Sequence, residues 1–204
     1  MITIAFSVLL ISALATAGWS YRGAAQLSGD KQTTLQVLSL CSSFIALAAL
    51  ADLLLSGLLL TSNGSDLTTL QRMLGNLAYY AAIPLIASTA VATGRKQHWS
   101  RPAWGRWLIA LFALFELLRR MEYGAEYSQV MASLCVLAIA LSVLRFSSAA
   151  AKSLGLIAAS GFAIALLLFG HGSLLPELTN SSYYALALAA SIPIYGYTLR
   201  LCLR

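Results

Sequence analysis

The 204-residue chain is 59% hydrophobic and only 10% charged, with 13 Lys and Arg against 7 Asp and Glu and a formal net charge of +6. Ordinary soluble chains carry about 25% charged residues, so this composition excludes a water-soluble domain and fits a chain built of membrane helices. No Lys/Arg-rich arm or nucleic-acid motif accompanies the basic excess; it is assigned to cytoplasmic loop ends, and nucleic acid is not expected as a partner.

Seven apolar stretches of helical length follow one another, at approximately 2–21, 34–60, 70–94, 104–121, 127–146, 152–171 and 182–202. The connections are too short for a soluble domain, so residues 1–204 are read as one all-α transmembrane domain, a seven-helix bundle. The first stretch has no positive segment before it, its first cation being Arg22. It therefore reads as a span entered with the N-terminus outside rather than as a cleaved signal peptide.

Span two carries Asp52 in Ala-Leu-Ala-Asp-Leu-Leu-Leu-Ser-Gly, with no cation within a turn. A charge at the bilayer centre costs roughly 2.5–3.5 kcal/mol on insertion scales, so Asp52 needs a partner from another helix or a proton. Two readings stay open for it, a coupling carboxylate and an interhelical hydrogen bond. The loop at 62–66 has turn chemistry, as does 176–182.

Span three organises the chain. It runs from Arg72 to Gly94, is interrupted by Pro84, and leads into the densest basic cluster, Arg95, Lys96, Arg101 and Arg106. Its Asn76-x-x-Tyr79-Tyr80-Ala81 is echoed at Asn180-x-x-Tyr183-Tyr184-Ala185, and Ile83-Pro84 is echoed at Ile192-Pro193. The echo is either a chance match in a low-complexity membrane sequence or an internal duplication of the form 3+1+3. Two parallel triplets about an axis along the membrane normal are a known transporter plan. Seven spans in this orientation are also the plan of microbial rhodopsins and SWEET sugar transporters, but only at the level of plan. The last span has no Lys, so a retinal Schiff base has nowhere to form.

Span four ends in Glu116-Leu-Leu-Arg119-Arg120-Met-Glu122-Tyr-Gly-Ala-Glu126. Glu116 stands at i,i+3 to Arg119 and i,i+4 to Arg120, the favourable order for helical ion pairs. The group reads as a self-neutralising ladder at the membrane surface, or as the charged wall of an outward cavity where Arg holds a carboxylate or phosphate. His171, in Phe-Gly-His-Gly-Ser, closes span six and is read as an interface residue or a group titrating near neutrality. His98 lies among Lys and Trp in the opposite loop.

Charge sorting orients the chain. Arg22, Lys31, Arg95, Lys96, Arg101, Arg106, Arg145, Lys152, Arg200 and Arg204 fall on one side, with Asp30 the lone acid, and Asp52, Asp66, Glu116, Glu122, Glu126 and Glu177 on the other, where only Arg72, Arg119 and Arg120 oppose the trend. Short loops make the Lys/Arg bias a reliable guide, so the N-terminus is expected outside and the C-terminus in the cytoplasm. Trp19, Tyr21, Trp99, Trp104 and Trp107 sit at span ends, where interfacial aromatics belong.

Catalytic templates are not met. Ser160 and His171 would lie about 16 Å apart along one helix, and Cys41, Cys135 and Cys202 are too scattered for a disulfide framework or a metal site. No cofactor is implied, and an enzyme is the least favoured class. The expected ligand-binding set is Asp52, Asn76, Tyr79, Tyr80, Glu116, Arg119, Arg120, Glu122, His171, Tyr183 and Tyr184, with Pro84 and Pro193 as hinges. It describes an outward-facing polar pocket, in a bacterial inner-membrane protein, that binds or transports a small polar or charged solute or a lipid headgroup. The alternative is a structural or sensory subunit docking to a membrane protein partner or to its own copy.

Overall fold

The computed structural model describes residues 1–57, 65–121 and 123–203, and among these every regular element is helical. Helices α1 (Ile2–Ala24) and α2 (Gly29–Gly57) are followed by α3 (Ser65–Leu77), a π turn (Ala78–Ala82) and α4 (Ile83–Gly94), which together form one continuous rod. Then come α5 (Arg101–Arg120), α6 (Gly124–Val143), α7 (Ala149–Ala163) with a π turn of its own (Ile164–Phe169), a short 3-10 turn (Pro176–Leu178) and α8 (Ser181–Leu203). Six stretches are long and apolar enough to cross a bilayer: Ile2–Ala24, Gly29–Ser56, Leu67–Gly94, Gly124–Val143, Ala149–Phe169 and Ser181–Leu203. At 1.5 Å per residue even the shortest covers a hydrocarbon core of about 30 Å. These helices suggest an integral membrane protein, compatible with a polytopic one.

The fourth expected span behaves differently. It forms helix α5, but Arg101, Arg106, Glu116, Arg119 and Arg120 within it keep it out of the apolar set. Its buried residues are Trp104, Leu111 and Phe115, a single stripe at i, i+7 and i+11. So α5 leans on the bundle along one line, against α2, α6 and the π turn.

The other helices close into a ring. Helix α1 packs between α2 and α8, α8 meets α7, α7 meets α6, α6 meets α4, and the α3–α4 rod returns to α2. Inside, Leu38, Ile45, Ile86, Phe162, Ile192 and Tyr195 are almost fully buried. Hydroxyls stitch the helices where no water is at hand. Ser12 donates to the Ala189 carbonyl, and Ser39 donates to that of Ala17 at 2.8 Å. At the centre Thr89 and Tyr195 share a 2.8 Å hydrogen bond, and the Tyr195 hydroxyl also reaches the Ile86 carbonyl at 3.1 Å.

Local chemistry explains the helix ends and the bulge. Pro84 has no N–H, so a regular helix would orphan a carbonyl one turn earlier. The chain answers with a widened turn in which Ile83 N–H bonds Ala78 O, five residues back. Helix α4 stops in a Schellman-type closure, Gln97 N–H to Ala92 O at 2.9 Å, with Lys96 in the left-handed region at φ 56°. Ser148 caps α7 by accepting from Ala151 N–H at 3.0 Å. Asn180 caps α8, its side-chain oxygen accepting from the N–H of Ser182 at 3.0 Å and of Tyr183 at 3.3 Å.

That cap bears on the echoed motif. Asn180 opens a helix, whereas Asn76 lies in the last turn of α3 inside the continuous rod. The two motifs also differ in register, with Asn76 eight residues before Pro84 and Asn180 thirteen before Pro193.

Helices α4 and α6 touch backbone to backbone. A Cβ built on Gly94 would stand 2.8 Å from the Ser142 carbonyl oxygen, so only glycine allows the approach. Gly94→Val is expected to force the two helices apart and cost about 1–3 kcal/mol. Tyr195→Phe, which leaves Thr89 its 2.7 Å bond to Ile86 O, is expected to cost only about 0.6 kcal/mol. Equilibrium unfolding in mixed micelles checks both values and their order.

Candidate functional site

Because successive helices reverse direction, the ends of α2, α5 and α7 and the starts of α3, α6 and α8 gather at one end of the bundle. Asp52, Arg72, Glu116, Arg119, Arg120, Glu126 and Glu177 lie toward this end. The opposite end carries most of the cations and the aromatic group Trp99, Trp104 and Trp107. His98 is there too; burial first, and Lys31 second, hold its imidazole below the ordinary pKa, so the ring stays neutral at neutral pH.

Two clefts open at the acid-bearing end, one on each side of α3. The first, of about 450 Å³, lies between α2, α3, α6 and the loop after α7. The second, of about 730 Å³, lies between α3 and α5. Arg72 and Asn76 border both, being one turn apart on the ridge between them.

In the first cleft the side chains are fixed by their own helices. Arg72, Asn76 and Tyr79 follow at i, i+4 and i+7, one stripe of the rod. Asp52 is held from across the gap by Gln71, whose amide donates to its Oδ1 at 2.5 Å. This leaves Oδ2 for another donor, and the carboxylate lies within electrostatic reach of His171 and Tyr184. Tyr79 forms the floor. It is 3% exposed, and its hydroxyl makes no well-aligned hydrogen bond among the described residues, lying instead close against the Gly172 backbone. Its ring stands edge-on to Tyr80 and His171, with centroids at 5.0 and 5.8 Å.

The wall opposite α3 is a loop held shut by hydroxyls. Ser128 on α6 has its Oγ 2.7 Å from Ala125 O and 3.3 Å from His171 O. Ser173 accepts from Leu175 N–H at 3.1 Å, and its Oγ lies 2.8 Å from Leu168 O. Gly172 lies hard against α6 and Tyr79; a Cβ there would be 2.5 Å from both the Ser128 carbonyl and the Tyr79 hydroxyl. Glycine at this position is what lets the loop seat beside the tyrosine.

Of the residues expected from sequence, Asp52, Asn76, Tyr79, Tyr80 and His171 line this one cleft. Glu116 and Arg119 line the neighbouring one. Glu116 is clasped by Arg119, through Nε at 3.0 Å and Nη2 at 2.7 Å, and by Arg120 Nε at 3.2 Å; all three side chains are substantially exposed. Arg120 borders neither cleft described here. Glu122 lies outside the described residues, as does most of the 62–66 turn. Tyr184 is half-buried beside Gly170, at the edge of the site. Tyr183 is exposed and packs on Phe169 at 5.3 Å, apart from the cleft. Pro84 is buried at the bulge, whereas Pro193 is on the exposed side of α8, bordering a surface groove with Thr16, Trp19 and Tyr197.

Gln71, Arg72, Ser128 and Gly172 were not among the expected residues. Gln71 was legible, since it sits four and eight residues before Gly75 and Tyr79 on one helical face. Nothing local marks Ser128 or Gly172, which join the site only through packing.

Compared with known proteins, the chain matches no family model, no curated protein and no solved structure. The site is therefore read from its own chemistry. It offers a carboxylate, a guanidinium, an amide, a buried phenol and an imidazole. Among the described residues no cluster of three metal-ligating side chains exists. Ser128 faces backbone carbonyls rather than a general base, so it is not arranged as an activated nucleophile.

An engineered Asn76→Cys should react rapidly with a membrane-impermeant maleimide, because the cleft opens to water. The native Cys41 and Cys135, both buried, should stay unmodified under the same conditions. Mass spectrometry of the intact chain counts the added groups. Adding Gly172→Val, which pushes Tyr79 toward the cleft, should slow the Asn76→Cys reaction several-fold.

Proposed function

We propose that this protein is a polytopic membrane protein that captures a small dipolar solute in the cleft at its acid-bearing end. The reading rests on one observation. Asp52 and Arg72 border the same cleft, each with donor or acceptor capacity unspent, above a buried Tyr79 hydroxyl that makes no well-aligned hydrogen bond among the described residues and lies against the Gly172 backbone. A buried polar group left unpaired costs about 1–3 kcal/mol, and a ligand that pairs with it recovers that cost. The cationic end of the solute would lie on Asp52, and its anionic end on the Arg72 guanidinium, which suits carboxylate or phosphate geometry.

Short loops and the Lys/Arg bias support an orientation with this cleft outside and the basic end in the cytoplasm of a bacterial inner membrane. Transport is the extended form of the proposal. The neighbour order of the ring supports it: with α1, α2 and α3–α4 taken as one triplet and α6, α7 and α8 as the other, a half-turn would exchange their order and leave α5 as linker. Rocking of one triplet against the other would have to part Thr89 from Tyr195. Beyond that pair, the buried hydroxyls of Ser20 and Thr93 have no hydrogen-bond partners among the described residues and lie toward the basic end, where they would solvate a path. A second reading, a subunit that docks to a protein partner, draws on the thin attachment of α5.

The test uses purified protein with three probe sets: zwitterions (free amino acids, betaine, phosphocholine), matched cations and matched anions. At least one zwitterion is expected to raise the unfolding temperature, corresponding to about 2.7 kcal/mol at a hundredfold excess over its Kd. Asp52→Asn and Arg72→Gln should each abolish that gain. The same solute should show counterflow in proteoliposomes. No stabilisation by any probe, together with stable co-purification of a membrane protein, would overturn the proposal in favour of the docking subunit.

A further inference from the structure

The basic end of the bundle holds a third, smaller slot of about 240 Å³ between α2, α4 and α5. Helices α2 and α5 both start at this end, and their lining residues follow one another in order of depth. On α2 the slot is bordered by Thr33 and Gln36, then by Val37 and Leu40. On α5 it is bordered by Arg101, then by Trp104 and Gly105, then by Leu108. Both stripes begin polar and become apolar within about two turns, the profile of an amphiphile.

Three groups at the polar mouth have unused donors. Arg101 spends one nitrogen on Gln36 Oε1, at 2.9 Å, and keeps the rest of its guanidinium. Thr33 is 8% exposed, and no hydrogen bond engages its hydroxyl among the described residues. Trp104 is 4% exposed, and its indole N–H is buried without a partner. A buried indole N–H normally finds an acceptor, so this one awaits something outside the chain. Lys31, Arg95, Lys96 and Arg106 stand at the same end and give it a positive potential.

We infer that this slot binds one anionic phospholipid of the leaflet at the basic end. Its phosphate oxygens accept from Arg101 and the Thr33 hydroxyl. One turn deeper, the Trp104 N–H donates to an ester carbonyl oxygen, and an acyl chain runs along Val37, Leu85 and Leu108. Basic pockets between membrane helices are suited to such headgroups. Gly105 keeps the channel for the chain open, since a Cβ built there would meet no atom within 4 Å. This site is separate from the cleft at the acid-bearing end and does not depend on the function proposed for it.

The test uses delipidated, detergent-purified full-length protein and native mass spectrometry, with phosphatidylglycerol, phosphatidylcholine and inorganic phosphate added separately. Phosphatidylglycerol should be retained about tenfold more strongly than phosphatidylcholine. Arg101→Gln, a change at an exposed residue, should remove that preference. Gly105→Leu should fill the slot without disturbing its neighbours and should lower phosphatidylglycerol retention about tenfold. Equal retention of the two lipids by the native protein, or retention unchanged in both variants, would overturn the inference. So would millimolar inorganic phosphate displacing the lipid, which would mark a bare anion site.

Discussion

A single missing proton shapes the centre of this protein. Pro84 cannot donate to the turn before it, and in a lipid environment no water stands by to take its place. The helix therefore widens into a π turn at Ala78–Ala82, and this turn holds both Tyr79 and Tyr80. One ring forms the floor of a polar cleft. The other stacks between Phe115 of α5 and Tyr127 of α6, with centroids at 4.0 and 5.7 Å. Widened turns of this kind recur at functional sites because they re-aim side chains without breaking the rod.

The same rule, that backbone polar groups in lipid must be answered internally, accounts for the rest of the bundle. Serine and threonine hydroxyls turn back onto carbonyls of their own or neighbouring helices, and helix ends are closed by caps or by a Schellman turn. Two of the buried polar groups without a well-aligned partner, the Tyr79 hydroxyl and the Trp104 indole, stand beside a cleft. The two proposed sites lie at opposite ends of the bundle and suit different molecules. One is lined mostly by residues with polar side chains. The other grades from a cationic mouth to an aliphatic interior.

How much of this the sequence made legible follows from the physics involved. Helix placement was legible because long apolar runs in a membrane chain have one stable solution. Convergence of Asp52, Asn76, Tyr79, Tyr80 and His171 was legible at the level of depth, since reversing helices bring alternate loops together. The sequence did not reveal which face each residue would take. Tyr183 and Tyr184 are adjacent, yet only Tyr184 turns inward, half-buried beside Gly170, while Tyr183 is exposed. Pro84 and Pro193 look equivalent in the chain, but one is buried at a bulge and the other sits on the rim of α8. Gly172 and Ser128 entered the site through a loop closure with no local signature. Helix α5 read as an ordinary span by length, while its charges set it apart from the other six.

The position of the Tyr80 ring has a mechanical consequence. Beside the buried Trp104 and Leu111, it is one of the contacts joining the peripheral helix to the ring of helices. Displacing that ring from either side would disturb its stacking on both Phe115 and Tyr127, so the walls of the two hollows meet at one side chain.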